Sequence, residues 1–243
     1  MKTLILLLLA IPALAQVQDS AIYNAYVNSY DATWDKVVSE KQSAFDRNMS
    51  DPTLRWNLAL AEYGLMAATL RSHDESRFDH YYKGIEDHLQ TLTKNDKRRG
   101  EAKALLSAVY GLKLAYSPMM GMVLGPKSAS LIGDAIKLEP ESPLVWRVEA
   151  NSKMYTPSMF GGDMNEAIAA FEKCIQLFEK QPASLRNNWI YIDAHIFLGQ
   201  AYTSEGQLAK AIAVYEKVLK VEPGLSWVKN DLLPGAKQKA LGK

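Results

Sequence analysis

The sequence predicts an all-α chain of short antiparallel helix pairs, and three observations carry that reading. Apolar residues recur at steps of three and four, as in Phe78, Tyr81, Tyr82, Ile85, Leu89 and Leu92, and again in Leu131, Ile132, Ala135 and Leu138. No sustained stretch alternates with period two, the mark of a half-buried strand. Breakers cut the helical signal near Asp51-Pro52, Ser72 to Glu75, Asn95-Asp96, Ser117-Pro118, Pro140, Pro157 to Gly162, Pro182, Gly206 and Pro223. Short rods joined by short connections fold back on one another. With 48% hydrophobic and 23% charged residues, the chain has enough apolar material for a core and is not disordered throughout.

The first element is an address label. The chain begins MKTLILLLLAIPALAQ. Lys2 gives a positive flank, Leu4 to Ile11 is an apolar run, and Ala13-Leu14-Ala15 is a small-x-small cleavage site. Residues 1–15 therefore read as a secretory signal peptide cut near Ala15, and the mature chain is expected in a bacterial periplasm or secreted. The run is shorter than the about 20 residues that span a bilayer, and no second long apolar stretch follows, so no stable membrane insertion is expected. Loss of Lys2 leaves 27 basic residues facing 27 acidic ones. A neutral chain has no overall attraction to nucleic acid. Cys174 is the single cysteine, so no internal disulfide can form.

Residues 16–50 form an N-terminal helical extension, with one or two helices between Ile22 and Phe45. Residues 51–243 then hold about four helix pairs. The last is the most regular. In it Leu198 and Gly199 are followed by Tyr202, and Ala211, Tyr215, Val218 and Pro223 fall in the following helix. Gly206 marks the turn between the two. Small residues at 199 and 211 let the helices approach, aromatic rings fill the space beside them, and Pro223 ends the second helix. This segment, Ile192 to Leu225, resembles a tetratricopeptide repeat (TPR). The segments YTPSMFGGD and WVKNDLLP resemble those of uncharacterised exported TPR proteins of bacteria.

Upstream units match less fully. Ala167, Phe171 and Cys174 fit a second helix that starts at the N-cap Asp163, with Glu166 completing a capping box. Its first helix is expected over Pro143 to Tyr155. A further unit spans Ala102 to Pro140 with Tyr110-Gly111 in its first helix, and another pairs Thr53–Arg71 with Arg77–Thr93 around Tyr63-Gly64. Trp227, Val228, Leu232 and Leu233 suggest a closing helix, which solenoids need to cover their last apolar face. The resemblance implies a right-handed TPR-like superhelix with extra N-terminal helices and a C-terminal cap.

Two units carry insertions. Gly199 and Ala211 lie 12 residues apart, whereas Gly111 and Ser128, and Ala150 and Ala167, lie 17 apart. The added residues fall at Ser117 to Gly125 and Thr156 to Gly162. Insertions on one edge of a solenoid often bind. Met119, Met120, Met122, Met159 and Phe160 there either form an apolar lip or fold back to plug the gap between repeats, since Met fills irregular space readily.

Catalytic motifs are weak. GMVLGPKS departs from a P-loop, because Pro126 intrudes and no strand precedes it; a loop ending at Gly125, with Pro126 opening a helix, is expected instead. His73, His80 and His88 sit in an acidic stretch, but His80 and His88 would lie about 12 Å apart along a helix at 1.5 Å per residue, too far for one zinc ion to bridge, so a solvated helix face is expected. His195 and Cys174 occupy packing positions of their repeats. No acid, base and nucleophile set is present, so no enzyme and no cofactor is expected. The three methionines at 119, 120 and 122 offer thioethers that suit Cu(I), which makes a small-ligand or metal-binding module the alternative to a protein-binding scaffold.

The family lines its concave side with the first helix of each pair, and some members clamp a partner's carboxylates there. Arg147 and Asn151 fall at two such positions, matched by Ile196 and Gln200 in the last repeat and by Ala108 and Leu112 in the middle one. Those places depart from a full carboxylate clamp, so a more apolar groove is expected instead, one that receives a helix or extended segment of a protein or peptide partner.

Overall fold

The computed structural model describes residues 19–28, 31–95 and 97–242. The predicted signal peptide lies outside these residues. Among them the chain forms eleven α-helices and no strand. A short α1 (Ser20–Asn28) and α2 (Asp31–Arg47) precede four antiparallel pairs. The pairs are α3 (Pro52–Ser72) with α4 (Glu75–Asn95), α5 (Arg99–Tyr116) with α6 (Gly121–Leu138), α7 (Pro143–Tyr155) with α8 (Met164–Glu179), and α9 (Trp189–Ser204) with α10 (Leu208–Val221). A π-helical turn, Val228–Leu232, leads into α11 (Leu233–Ala240), which packs on α10 as the closing cap.

Local chemistry sets the helix ends. Asp51 caps α3 by accepting from the backbone N–H of Thr53 at 2.7 Å, and Pro52 takes the first helical position, where no N–H is needed. Gly206 supplies a left-handed turn (φ 70°) between α9 and α10. His73 ends α3 in the same conformation, with φ 55°. Asp163 caps α8 through the Glu166 N–H at 2.9 Å, while the Glu166 carboxylate turns to Lys153 at 2.5 Å instead of closing a capping box.

The last pair packs as its pattern predicts. A Cβ placed on Gly199 would lie 2.4 Å from Tyr215 Cε1, so the ring of α10 sits directly on the glycine of α9. Leu198, Tyr202, Ala211, Tyr215 and Val218 are all buried. In the α5/α6 pair the predicted register is wrong by four residues. Gly111 faces open space, and the close crossing is made by Ser107 and Ser128, whose hydroxyls lie 2.8 Å apart. Each hydroxyl also donates to the other serine's carbonyl, Ser107 at 2.9 Å and Ser128 at 3.0 Å. The repeat pattern is therefore Leu106-Ser107 with Tyr110 three residues on, and Gly111 only imitated it. Gly64 is also reassigned: its partner is the Trp34 ring of α2, not α4.

Pro126 corrects a second expectation. It lies inside α6, which begins at Gly121, so the inserted stretch is mostly helical rather than a loop. Leu124, only 4% exposed, fixes this extra turn to the body of the pair.

First helices pack against one another in the order α3, α5, α7, α9 and form the inner face. The array curls until its ends approach: Arg71 at the end of α3 lies over the Trp227 ring, 5.6 Å from its centroid. Two apolar cores result, one under α1 to α7 that also takes in Trp189 of α9, and one under α7 to α11. Tyr23 and Tyr26 of α1 pack against both.

Candidate functional site

The inner face holds a buried ion pair. Arg147 of α7 donates from Nε to Asp193 Oδ2 of α9 at 2.8 Å, and a terminal nitrogen reaches the same oxygen at 2.6 Å. A second terminal nitrogen donates to the Tyr63 hydroxyl of α3. The guanidinium also lies 5.5 Å from the Tyr63 ring centroid and 6.0 Å from that of Trp189. Burial works against the charge of Arg147, but Asp193 and the Tyr63 hydroxyl more than offset it and hold its pKa above the ordinary arginine value. Asp193 Oδ1 accepts from the Tyr26 hydroxyl of α1 at 2.9 Å. Four elements thus meet on one carboxylate–guanidinium pair.

This arrangement corrects the expected groove. Arg147 and Ile196, assigned to a partner-binding surface, are 3% and 0% exposed. Arg147 is held by the chain's own Asp193, and Ile196 is core. Asn151 and Gln200 remain half-buried, and Asn151 Oδ1 and Gln200 Nε2 have no hydrogen-bond partner among the described residues. Asp193, Tyr63, Tyr26 and Trp189 escaped the sequence reading. The signal was a lone acid in the apolar run Ile190 to Leu198, which requires a cation from a neighbouring helix once buried.

The inserted turns behave oppositely. Met119 is 97% exposed, Met122 92%, Met159 81% and Phe160 72%. Met120 is also exposed, as are the neighbouring Val123 and Tyr155. These side chains do not plug the gap between repeats. The second turn is firmly shaped: Gly161 has φ 94°, and a Cβ on Gly162 would sit 1.7 Å from the Thr156 carbonyl oxygen. The left-handed backbone at Gly161 strains any other residue, and Gly162 has no room for a side chain. The Asp163 N–H closes the turn on the Lys153 carbonyl at 3.0 Å. Tyr155 stands beside it, edge-on to Phe197 with ring centroids 6.2 Å apart.

The candidate chemical groups have packing roles. Cys174 is fully buried, and burial pushes its thiol far up, away from the thiolate a nucleophile needs. His195 is buried with Nδ1 2.9 Å from the Tyr191 carbonyl, and burial lowers its pKa to about 4. His88 packs edge-on to Phe45, while His80 packs against Tyr81.

Among the described residues no helix is long and apolar enough to cross a membrane. The sequence matches no curated protein. The tetratricopeptide-repeat family model matches residues 159–181 and 192–224. Two solved structures share the fold. The haemophore HusA of Porphyromonas gingivalis superposes with a TM-score of 0.60 at 17% identity, over 76% of this chain and 91% of its own. A thermophilic TPR protein of Thermus thermophilus gives 0.58 at 18%, over 89% of this chain and 97% of its own. At such identities the likeness is one of fold. Matched repeats and the Tyr215 ring seated on Gly199 identify tetratricopeptide repeats in the last two helix pairs, and the stacked pairs as a whole form an all-α, TPR-like superhelix.

Proposed function

We propose that the protein is a non-catalytic, exported scaffold that takes a protein partner on the apolar rim of its two inserted turns. One observation carries the reading: large exposed apolar side chains concentrate at Met119, Met120, Met122, Val123, Tyr155, Met159 and Phe160. Each turn gathers several exposed apolar side chains close in sequence, the kind of surface that marks interaction sites, and Met adapts to a partner's shape. TPR folds serve protein–protein interaction, which supports the class of function. The leader-like N-terminus supports a role outside the cytoplasm, in envelope assembly or transport.

The test is a pull-down from an envelope extract, read by mass spectrometry, with the wild type beside a Met122→Ser/Met159→Ser/Phe160→Ser variant. A protein enriched by the wild type and lost from an equally stable variant is the expected result. Equal recovery by both ends the rim reading.

A second reading has its own observation: Met119 and Met122 are both fully open to solvent about one turn apart, and exposed thioethers suit Cu(I). One structural neighbour is a haemophore, which keeps small-ligand binding in view. Titration with Cu(I) against a competing chelator decides it, and no tight binding removes the idea.

A further inference from the structure

The helix α1 lies across the inner face and, beyond its sequence neighbour α2, touches α3 and α9, members of the first and last pairs. Ile22 and Ala25 are its buried apolar contacts, one turn apart. Tyr23 and Tyr26 lie on an adjoining stripe at the same spacing. Tyr26 packs at a tilt of 38° against Trp189 with centroids 5.2 Å apart and donates to Asp193 at 2.9 Å. Tyr23 donates to Glu222 Oε2 at 2.8 Å, just beyond the end of α10. The segment SAIYNAYVN carries no charge, and Asp19 caps it through the Ala21 N–H at 2.9 Å.

We propose that α1 is a displaceable occupant of the inner face, and that the seat it fills receives in trans a partner helix of the same chemistry: uncharged, with small apolar residues and tyrosines each repeating at i and i+3. The receiving surface argues for that partner. Asp193 has Arg147 on one oxygen and needs a donor for the other, and Glu222 offers a second acceptor. A carboxylate only accepts, so each is satisfied by a hydroxyl donor such as tyrosine. Trp189 and Tyr63, buried beneath with rings inclined at 34°, give an aromatic floor. Nine residues make a helix too short to stand alone in water, so α1 depends on this seat for its form. A tethered occupant lowers the apparent affinity of a free competitor by the fraction of time the seat is empty. This inference is independent of the apolar rim.

Two measurements test it. In the first, amide hydrogen exchange of the full chain is followed helix by helix. The α1 amides are expected to exchange at least tenfold faster than those of α9, through opening of α1 alone. In the second, a labelled, end-blocked peptide of residues 19–28 is titrated by fluorescence anisotropy into the wild type and into Tyr23→Phe/Tyr26→Phe, which keeps both rings but removes both hydroxyl donors from the tethered copy. The peptide is expected to bind the double variant about tenfold more tightly, and a peptide with both tyrosines replaced by Phe to lose that gain. Exchange of α1 only through global unfolding would overturn the proposal, whatever the variant does. So would equal peptide binding by both proteins, or a concentration-dependent dimer of the variant that excludes the peptide, since the seat would then belong to a second copy.

Discussion

The inner face and the inserted turns are built from similar material and end in opposite states. Both collect aromatic and apolar side chains, the inner face from α1, α3, α7 and α9 and the turns from the α5/α6 and α7/α8 pairs. On the inner face, Tyr63, Trp189 and Tyr26 close over Arg147 and Asp193, and each of these three rings finds a neighbour. On the turns, Met119, Met122, Met159 and Phe160 stand in solvent. Curvature explains the difference. First helices converge on the inside of the curl, so their side chains reach across three repeats. The turns sit at the ends of the pairs, where nothing converges on them. The lesson is that a repeat protein's concave face is not open by default, and that its free apolar surface can lie on its rim.

The sharpest way to break this comparison is to unpair the inner face. Asp193→Ala leaves the Arg147 charge buried alone and is expected to cost about 3–5 kcal/mol, measured by urea unfolding. An Arg147→Met/Asp193→Leu double variant is expected to lose less than the single one, because no orphan charge remains. A small loss from Asp193→Ala would mean that the inner face is wetter than its geometry implies.

Gly199→Ala is next in size. The added methyl meets the Tyr215 ring and is expected to cost about 1–3 kcal/mol. Gly111→Ala, with open space around it, is expected to be neutral or slightly stabilising. Equal effects at the two sites would reverse the register assigned to the α5/α6 pair.

Buried titrating groups provide a third test, at about 1.4 kcal/mol per pH unit. Glu62, 4% exposed, is raised by burial from its ordinary 4.5 to about 8. Its contribution is fully present below pH 4.5 and is lost as pH rises towards 8, because the unfolded state gives up its proton first. His195 is lowered by burial from 6.5 to about 4, so its contribution is present above pH 6.5 and is lost as pH falls towards 4. The two slopes oppose each other between 4.5 and 6.5. Stability is therefore expected to be level there and to fall between 6.5 and 8, and Glu62→Gln should abolish that fall. A fall unchanged by Glu62→Gln would assign it to other groups.

Smallest in stability are the rim changes. Met119→Ser and Phe160→Ser are expected to stay within about 0.5 kcal/mol of the wild type by thermal melting, while removing partner binding. A large loss of stability would show that the turns pack after all.

Legibility in the sequence followed the range of the interactions. Helix ends were readable because capping is local: Asp51-Pro52, Asp163 and Gly206 act within one turn of themselves. The α9/α10 pair was readable because its Gly, Ala and Tyr positions are fixed by one helix crossing. The α5/α6 register was not, since Ser107 and Ser128 answer each other through hydroxyls and a neighbouring glycine offered a false match. Pro126 misled for a related reason: the buried Leu124 holds the turn before it in helical form.

By itself the sequence determined an all-helical chain, the four pairs, the small-residue crossing of the last pair and the position of the two insertions. Periodicity and turn chemistry depend on residues close together in the chain, so they can be read from it. Tertiary structure alone decided that Arg147 turns inward to Asp193, that α1 fills the inner face, and that the inserted turns stay bare. Those outcomes depend on how far the array curls, a sum of packing angles over many helices that no local pattern records.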